Sequence, residues 1–171
     1  YGPQMGWQEL DALLTQKEHL VALDLAGDEA NYPGNLFVEH FKKGRDAGWQ
    51  ITIHAGESAG AESIWQAISD LGATRIGHAV TAIHDPALRE YMGEHKIGIE
   101  ANLTSNLQTM TVPTLSRHPM RAFLEQGLLA TLNTDDPGIS AIDLAYEYKV
   151  AAPGAGLTAD QIRQAQRNAL E

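Results

Sequence analysis

Ile51-Thr52-Ile53-His54-Ala55-Gly56-Glu57 is an alternating β-branched run that stops abruptly in an imidazole, two small residues and a carboxylate. Such alternation predicts a strand, and the Ala55-Gly56 step leaves space beside His54 and Glu57 for a substrate or metal to approach the backbone. The stretch reads as a strand that delivers chemistry at its C-terminal tip. Taken alone it is also a strand followed by a polar turn, so its meaning depends on whether the rest of the chain repeats it.

The pattern recurs on both sides. Leu20 to Leu25 is a short apolar run closed by Ala26-Gly27-Asp28-Glu29; Arg75-Ile76-Gly77-His78, Ile97 to Asn102 and Leu128 to Asn133 are further short strands, the last tipped by Thr134-Asp135-Asp136-Pro137-Gly138. Amphipathic helical patterns lie between them, at Met5 to His19, Asn35 to Ala47, Ala61 to Leu71, Asp85 to about His95, Pro119 to Gln126 and Ile142 to Ala151. Asp85-Pro86 is a helix start, with the carboxylate as cap and proline in the first turn. Thr158 with Gln161 forms a capping box that opens a last helix. Leu103 to Arg117 is expected to be a long polar loop. Strands alternating with helices predict a parallel sheet of right-handed βαβ units. No linker divides residues 1–171, so one catalytic domain is expected.

A doubly wound sheet would gather its site at one switch point, usually with a glycine-rich phosphate loop. No such loop is present. Polar residues instead sit at nearly every strand's C-terminal end, the layout of a (β/α)8 TIM barrel, whose mouth is ringed by its βα loops. A full barrel needs about 250 residues. With 171 residues and about five of the eight strands, this chain is expected to be the C-terminal part of such a barrel. The start at Tyr1 and the helical pattern still running at Glu171 agree with a piece of a longer protein. Its first and last strands should then be unpaired edges that promote association.

The formal net charge of −10, without a cluster of Lys and Arg, excludes a nucleic-acid partner. No apolar run has the length of a membrane span and no signal-peptide layout opens the chain, so a cytoplasmic protein with no membrane partner is expected. There is no cysteine, and any metal must be held by His, Asp or Glu.

The strand tips carry Gly27-Asp28-Glu29, His54 with Glu57, His78, Asn102 through Asn106, and Asp135-Asp136. Neutral histidine plus carboxylate is the ligand set of a hydrolytic zinc, with His54 and Asp135 as its direct ligands here. A catalytic zinc takes three protein ligands, so the remainder should come from strands outside this chain. Each residue also has a purely structural explanation. Asp135-Asp136 could start a turn, His78 could be a core histidine, Glu57 could cap the following helix and Gly27 could end a strand. His19, His40, His84, His95 and His118 are expected to be structural or solvent-facing.

Asp24-Leu25-Ala26-Gly27-Asp28-Glu29, His54-Ala55-Gly56-Glu57, Gly77-His78 and Leu132-Asn133-Thr134-Asp135-Asp136-Pro137 resemble, in order and spacing, successive signature motifs of the adenosine deaminases, most closely the bacterial ones. The resemblance runs along essentially the whole chain. It implies a zinc-dependent barrel that hydrolyses a small purine nucleoside, adenosine or deoxyadenosine, to inosine or deoxyinosine. It also implies His54 and Asp135 as ligands of one zinc ion (Zn2+), Glu57 as proton donor to purine N1, and His78 as the group orienting the attacking hydroxide. Asp136 is implied as the partner of N7, and the Gly27 amide as that of N3. Ala79 departs from the family's usual glycine, and Asn102 from its cysteine or small residue. The His-x-His pair that the family carries on its first strand is absent from these 171 residues. The N-terminal half is therefore needed to close the barrel, and this chain alone should be inactive. The alternatives are an adenine or AMP deaminase working with the same tips, or a non-catalytic barrel fragment.

Overall fold

The computed structural model describes residues 2–171. Its strands are β1 (Ala22–Leu25), β2 (Gln50–Ala55), β3 (Arg75–His78), β4 (Gly98–Ala101) and β5 (Ala130–Leu132), all parallel and each beside its predecessor in one sheet. Helices α1 (Pro3–Leu14), α2 (Val38–Asp46), α3 (Ala61–Ser69), α4 (Pro86–Glu94), α5 (Leu103–Gln108), α6 (Met120–Glu125) and α7 (Pro137–Ser140) alternate with them. The chain ends in α8 (Leu144–Tyr146), a π-helical stretch (Glu147–Ala151), α9 (Ala152–Gly154) and α10 (Ala159–Asn168). No described helix is long and apolar enough to cross a membrane.

Register explains the layering. Leu25, Ile53, Ile76, Ile99 and Ala130 stand side by side across the five strands. From β2 to β5 this row is buried in one core with Ile64, Leu88, Met92 and Phe123 of the helices. Each fully buried isoleucine contributes roughly 1.5–3 kcal/mol, so this row dominates the sheet's attachment to its helices. One residue later the row reads His54, Gly77, Glu100 and Thr131 and points to the opposite face. Thr52 donates to Glu100 at 3.0 Å and Arg75 pairs with it at 2.8 Å on that polar side.

The local signals act as their chemistry requires. The Asp85 carboxylate accepts the Leu88 amide at 3.0 Å, and Thr158 and Gln161 make the reciprocal capping box. The expected loop from Leu103 to Arg117 is a correction, because its first six residues form α5 and Leu115–Arg117 is a short 3-10 turn. Thr, Ser and Asn are poor helix formers. Here the carboxylate of Glu147 receives the Thr104 amide at 3.3 Å and anchors the helix start from outside the segment.

The two edge strands differ in cover. Among the described residues β1 pairs with β2 alone, and Val21, just before it, is 82% exposed. The edge of β5 is partly covered, since Asn168 at the end of α10 donates its amide to the carbonyls of Ala130 at 2.9 Å and Leu128 at 3.3 Å. A side-chain amide there substitutes for part of a strand's ladder.

Candidate active site

Strand β2 carries His54 to the sheet's C-terminal end, where its register partner on β3 is Gly77. A Cβ on Gly77 would stand 2.7 Å from the His54 ring, so only glycine lets the imidazole lie across the neighbouring strand. Gly56 then turns the chain with φ +72°; a Cβ there would meet Ile64 at 2.5 Å. This turn releases Glu57 from the strand direction.

His78 shares its register position with Ala55, in the row that faces the helices. Its backbone has φ 65°, and this left-handed conformation re-aims the ring toward the strand tips. Asp135 has the same unusual feature, with φ 56°. Left-handed backbone at a non-glycine residue costs roughly 1–2 kcal/mol, and it falls here on two of the clustered site residues. Ala79, at the position where the resemblance expects glycine, keeps φ 52° with its methyl fully buried.

These turns bring four predicted residues together. His78 Nε2 lies 3.5 Å from Glu57 Oε2 and 3.9 Å from Asp135 Oδ2, and the His54 and His78 rings meet edge to face at 4.9 Å. Metal-ligating atoms of His54, His78 and Asp135 all lie within 4.8 Å of one another. Asp136 is exposed beside this cluster, lining with His54 and Asp135 the open hollow over the strand ends. Gly27 is outside the cluster, on the exposed β1 tip at φ 112°, and shares a second hollow with His54 and Glu29. Glu57 caps no helix, since α3 starts from Gly60 without a side-chain cap.

The electrostatics favour a cation at His54. Burial works against its protonation, yet the hydrogen bond that Nε2–H gives to Asp24 at 3.3 Å and the charges of Asp24, Asp135 and Glu57 outweigh it and raise its pKa. Burial pushes His78 the other way, reinforced by the nearby His54 and opposed by Glu57 and Asp135. An imidazole ringed by three carboxylates, with a neutral histidine beside it, suits a divalent cation that can replace the proton.

A family model described as adenosine deaminase matches residues 3–171. The chain belongs to the adenosine deaminase family. A curated adenosine deaminase from Vibrio cholerae is 63% identical over 171 residues, covering 100% of this chain and 51% of that protein. One from Edwardsiella ictaluri is 61% identical over 170 residues, covering 99% and 51%. The chain thus spans about half the length of the curated relatives it matches. An adenine deaminase from Arthrobacter aurescens shares the fold with TM-score 0.92 at 21% identity, over 98% of this chain and 51% of that one. An amidohydrolase from Burkholderia ambifaria, solved with bound Zn, shares it with TM-score 0.89 at 24% identity, over 98% and 48%. The five strands are an incomplete (β/α)8 barrel of the kind these proteins have.

Within this member of the adenosine deaminase family, the cluster is held by Ser105 and Asn106, which the sequence placed at a strand tip without a role, and by Thr109, which it did not single out. Ser105 donates to Asp135 Oδ2 at 2.6 Å, Thr109 donates to Glu57 Oε1 at 3.2 Å, and Asn106 sits 2.9 Å from His78 Nδ1. All three belong to α5 or its end, inside the segment expected to be loop. Glu29 receives the amides of Gly56, Glu57, Ser58 and Ala59 and the Ser63 hydroxyl, so the β1 tip binds the whole turn after β2. Despite its burial, those hydrogen bonds hold its carboxyl below the usual value. Glu147 is fully buried, and burial raises its pKa although Thr104 and Leu103 donate to it. His118, expected to be structural or solvent-facing, is buried and 3.1 Å from Asn106. The polar run Thr104-Ser105-Asn106 was the available signal, and its helical periodicity is too short to register.

Proposed function

We propose that this chain supplies the C-terminal half of the active site of a zinc-dependent adenosine deaminase, which hydrolyses adenosine and 2'-deoxyadenosine to inosine and 2'-deoxyinosine. The observation that carries the proposal is the convergence of His54, Glu57, His78 and Asp135 at the strand ends of a chain in this family. Its 63% identity to a curated adenosine deaminase favours the nucleoside over adenine or AMP.

His54 and Asp135 would hold the metal. Their donor types fit zinc, and Asp24 and Ser105 fix their orientations as outer partners of metal ligands do. Two ligands are fewer than the three a catalytic zinc takes, so the rest come from outside this chain. Bound zinc supplies Lewis acidity, which makes water a competent nucleophile at neutral pH. The Zn-bound amidohydrolase of the same fold supports this choice of metal.

The chain's own residues do the remaining work. Glu57 hands a proton to purine N1, which draws electron density from C6. His78 orients the water that forms the new C6–O bond. One proton of that water restores the Glu57 acid and the other passes to the amino group, so the C6–N bond breaks, ammonia leaves and C6 keeps the oxygen as a carbonyl. N7 accepts a hydrogen bond from the Asp136 carboxyl and N3 accepts one from the Gly27 amide, so the purine is held between the two rims. Both rims are exposed in this chain, as groups that meet an incoming ligand must be.

Comparing adenosine, adenine and AMP as substrates of the intact protein tests this reading. Adenosine should give the highest kcat/KM and zinc should copurify at one ion per chain. Preference for adenine or AMP, or full turnover after chelation, would overturn it.

A further inference from the structure

Behind His78 runs a line of hydrogen bonds that starts at a backbone amide. The Met120 N–H donates to His118 Nδ1 at 3.1 Å, and His118 Nε2 lies 3.1 Å from Asn106 Oδ1. Asn106 Nδ2 lies 2.9 Å from His78 Nδ1, and His78 Nε2 faces Glu57 Oε2 and Asp135 Oδ2 at 3.5 and 3.9 Å. His118, Asn106 and His78 are all buried, so solvent offers no alternative partners.

The direction of this line follows from its first bond. A backbone N–H can only donate, so His118 Nδ1 must be the acceptor. His118 is also neutral near pH 7, because burial, helped by the nearby His78, pushes its pKa down to about 3. Its one ring proton therefore sits on Nε2 and points at Asn106 Oδ1. That fixes which way the Asn106 amide faces, and its N–H points at His78 Nδ1. A neutral imidazole that accepts at Nδ1 carries its proton on Nε2. Asn106 Nδ2 also reaches Glu57 Oε1 at 3.5 Å, with the same donor sense. Asn102 Nδ2 stands 3.4 Å from Nδ1 and 3.5 Å from Nε2 of His78, too evenly placed to set a direction.

We propose that His118 and Asn106 are positioning residues that hold neutral His78 in its Nε2–H tautomer, making it a hydrogen-bond donor toward Glu57 and Asp135 and denying its Nε2 to a metal. Of the three clustered side chains, His54 and Asp135 alone then offer a lone pair to a cation. The tautomer stands on the hydrogen bonds alone, whereas its effect on turnover rests on the function proposed above.

Two-bond proton–nitrogen spectra of the intact, zinc-loaded protein, labelled at histidine nitrogen, read the tautomer directly. The unsubstituted protein should show His78 protonated at Nε2 and bare at Nδ1. Asn106→Asp replaces a donor by an acceptor of the same shape and should move that proton to Nδ1. With it, kcat for adenosine should fall by about 10²-fold while KM changes little, the size of a lost proton-positioning interaction. His118→Leu should leave a mixture of tautomers, and His118→Gln, which keeps an N–H toward Asn106, should restore the original one. A proton on Nδ1 in the unsubstituted protein, or an unchanged tautomer in Asn106→Asp, would overturn the proposal. The unsubstituted spectrum decides it even if a variant does not fold. An intact protein that shows the Nε2 proton yet ignores adenosine supports the relay and removes the substrate instead.

Discussion

In the proposed mechanism the chemistry turns on Glu57, whose carboxylate lies 3.5 Å from His78 and is held by Thr109 and Asn106 from the far side. Replacing it by glutamine keeps the shape and removes the transferable proton. In the intact protein Glu57→Gln should lower kcat for adenosine by about 10²–10⁴-fold, the usual share of a positioned general acid. Zinc content, read by metal analysis, should not change, since Glu57 is outside the proposed ligand pair. Normal turnover would remove Glu57 from the mechanism. His118 sets a second residue-scale expectation. Its folded pKa of about 3 lies below the ordinary 6.5, so below pH 6.5 the unfolded chain binds a proton that the folded chain refuses. Its contribution to stability is complete above pH 6.5 and is lost as pH falls toward 3. Urea midpoints measured across that window should drop less steeply in His118→Gln than in the parent.

Among elements, the turn after β2 depends most on a partner distant in sequence. Four successive amides, from Gly56 to Ala59, all bond to Glu29 on the β1 tip. Glu29→Ala leaves several of these donors unsatisfied and should cost roughly 1–3 kcal/mol in chemical denaturation. Because the hydrogen bonds depress the folded pKa of Glu29, its contribution is present above the ordinary value of 4.5 and is lost as pH falls through the lower folded value. The same substitution should therefore flatten the acid limb of the stability curve. Helix α4 offers a change of opposite sign. Lys96, just past its end, is exposed with φ 54°. Glycine adopts that conformation without the steric cost of a Cβ, so Lys96→Gly should stabilise by about 0.5–1 kcal/mol, read as a rise in Tm. A fall in Tm would show that the lysine side chain contributes more than its backbone strain costs.

At the scale of the whole molecule, the sheet has two unpaired edges, and that of β1 is the more open. β1 pairs on one side only and Val21 projects beside it, whereas α10 shields part of β5. The 171-residue chain by itself should associate through the β1 edge in a concentration-dependent way. Val21→Lys should shift its sedimentation toward the monomer, because a charge on an edge opposes strand addition. Without further ligands to join His54 and Asp135, the same chain should show negligible deaminase turnover. A monomeric, fully active preparation would contradict both expectations.

The strand tips His54, Glu57, His78 and Asp135 were legible because strands and motifs are local. A period of two, a capping carboxylate or a glycine between two functional groups leaves its mark within a few residues. The parallel sheet followed from strand and helix alternation for the same reason. Tertiary structure alone decided how these tips are held. Asn106 meets His78 across 28 residues and Thr109 meets Glu57 across 52, and neither separation has a sequence period. The helix carrying both is six residues long, too short to announce itself, and Glu147 anchors it from 43 residues away. The amino-acid sequence by itself determined which groups stand at the strand ends. Their direction, their protonation and their partners depend on burial and hydrogen bonding, which exist only once the segments pack.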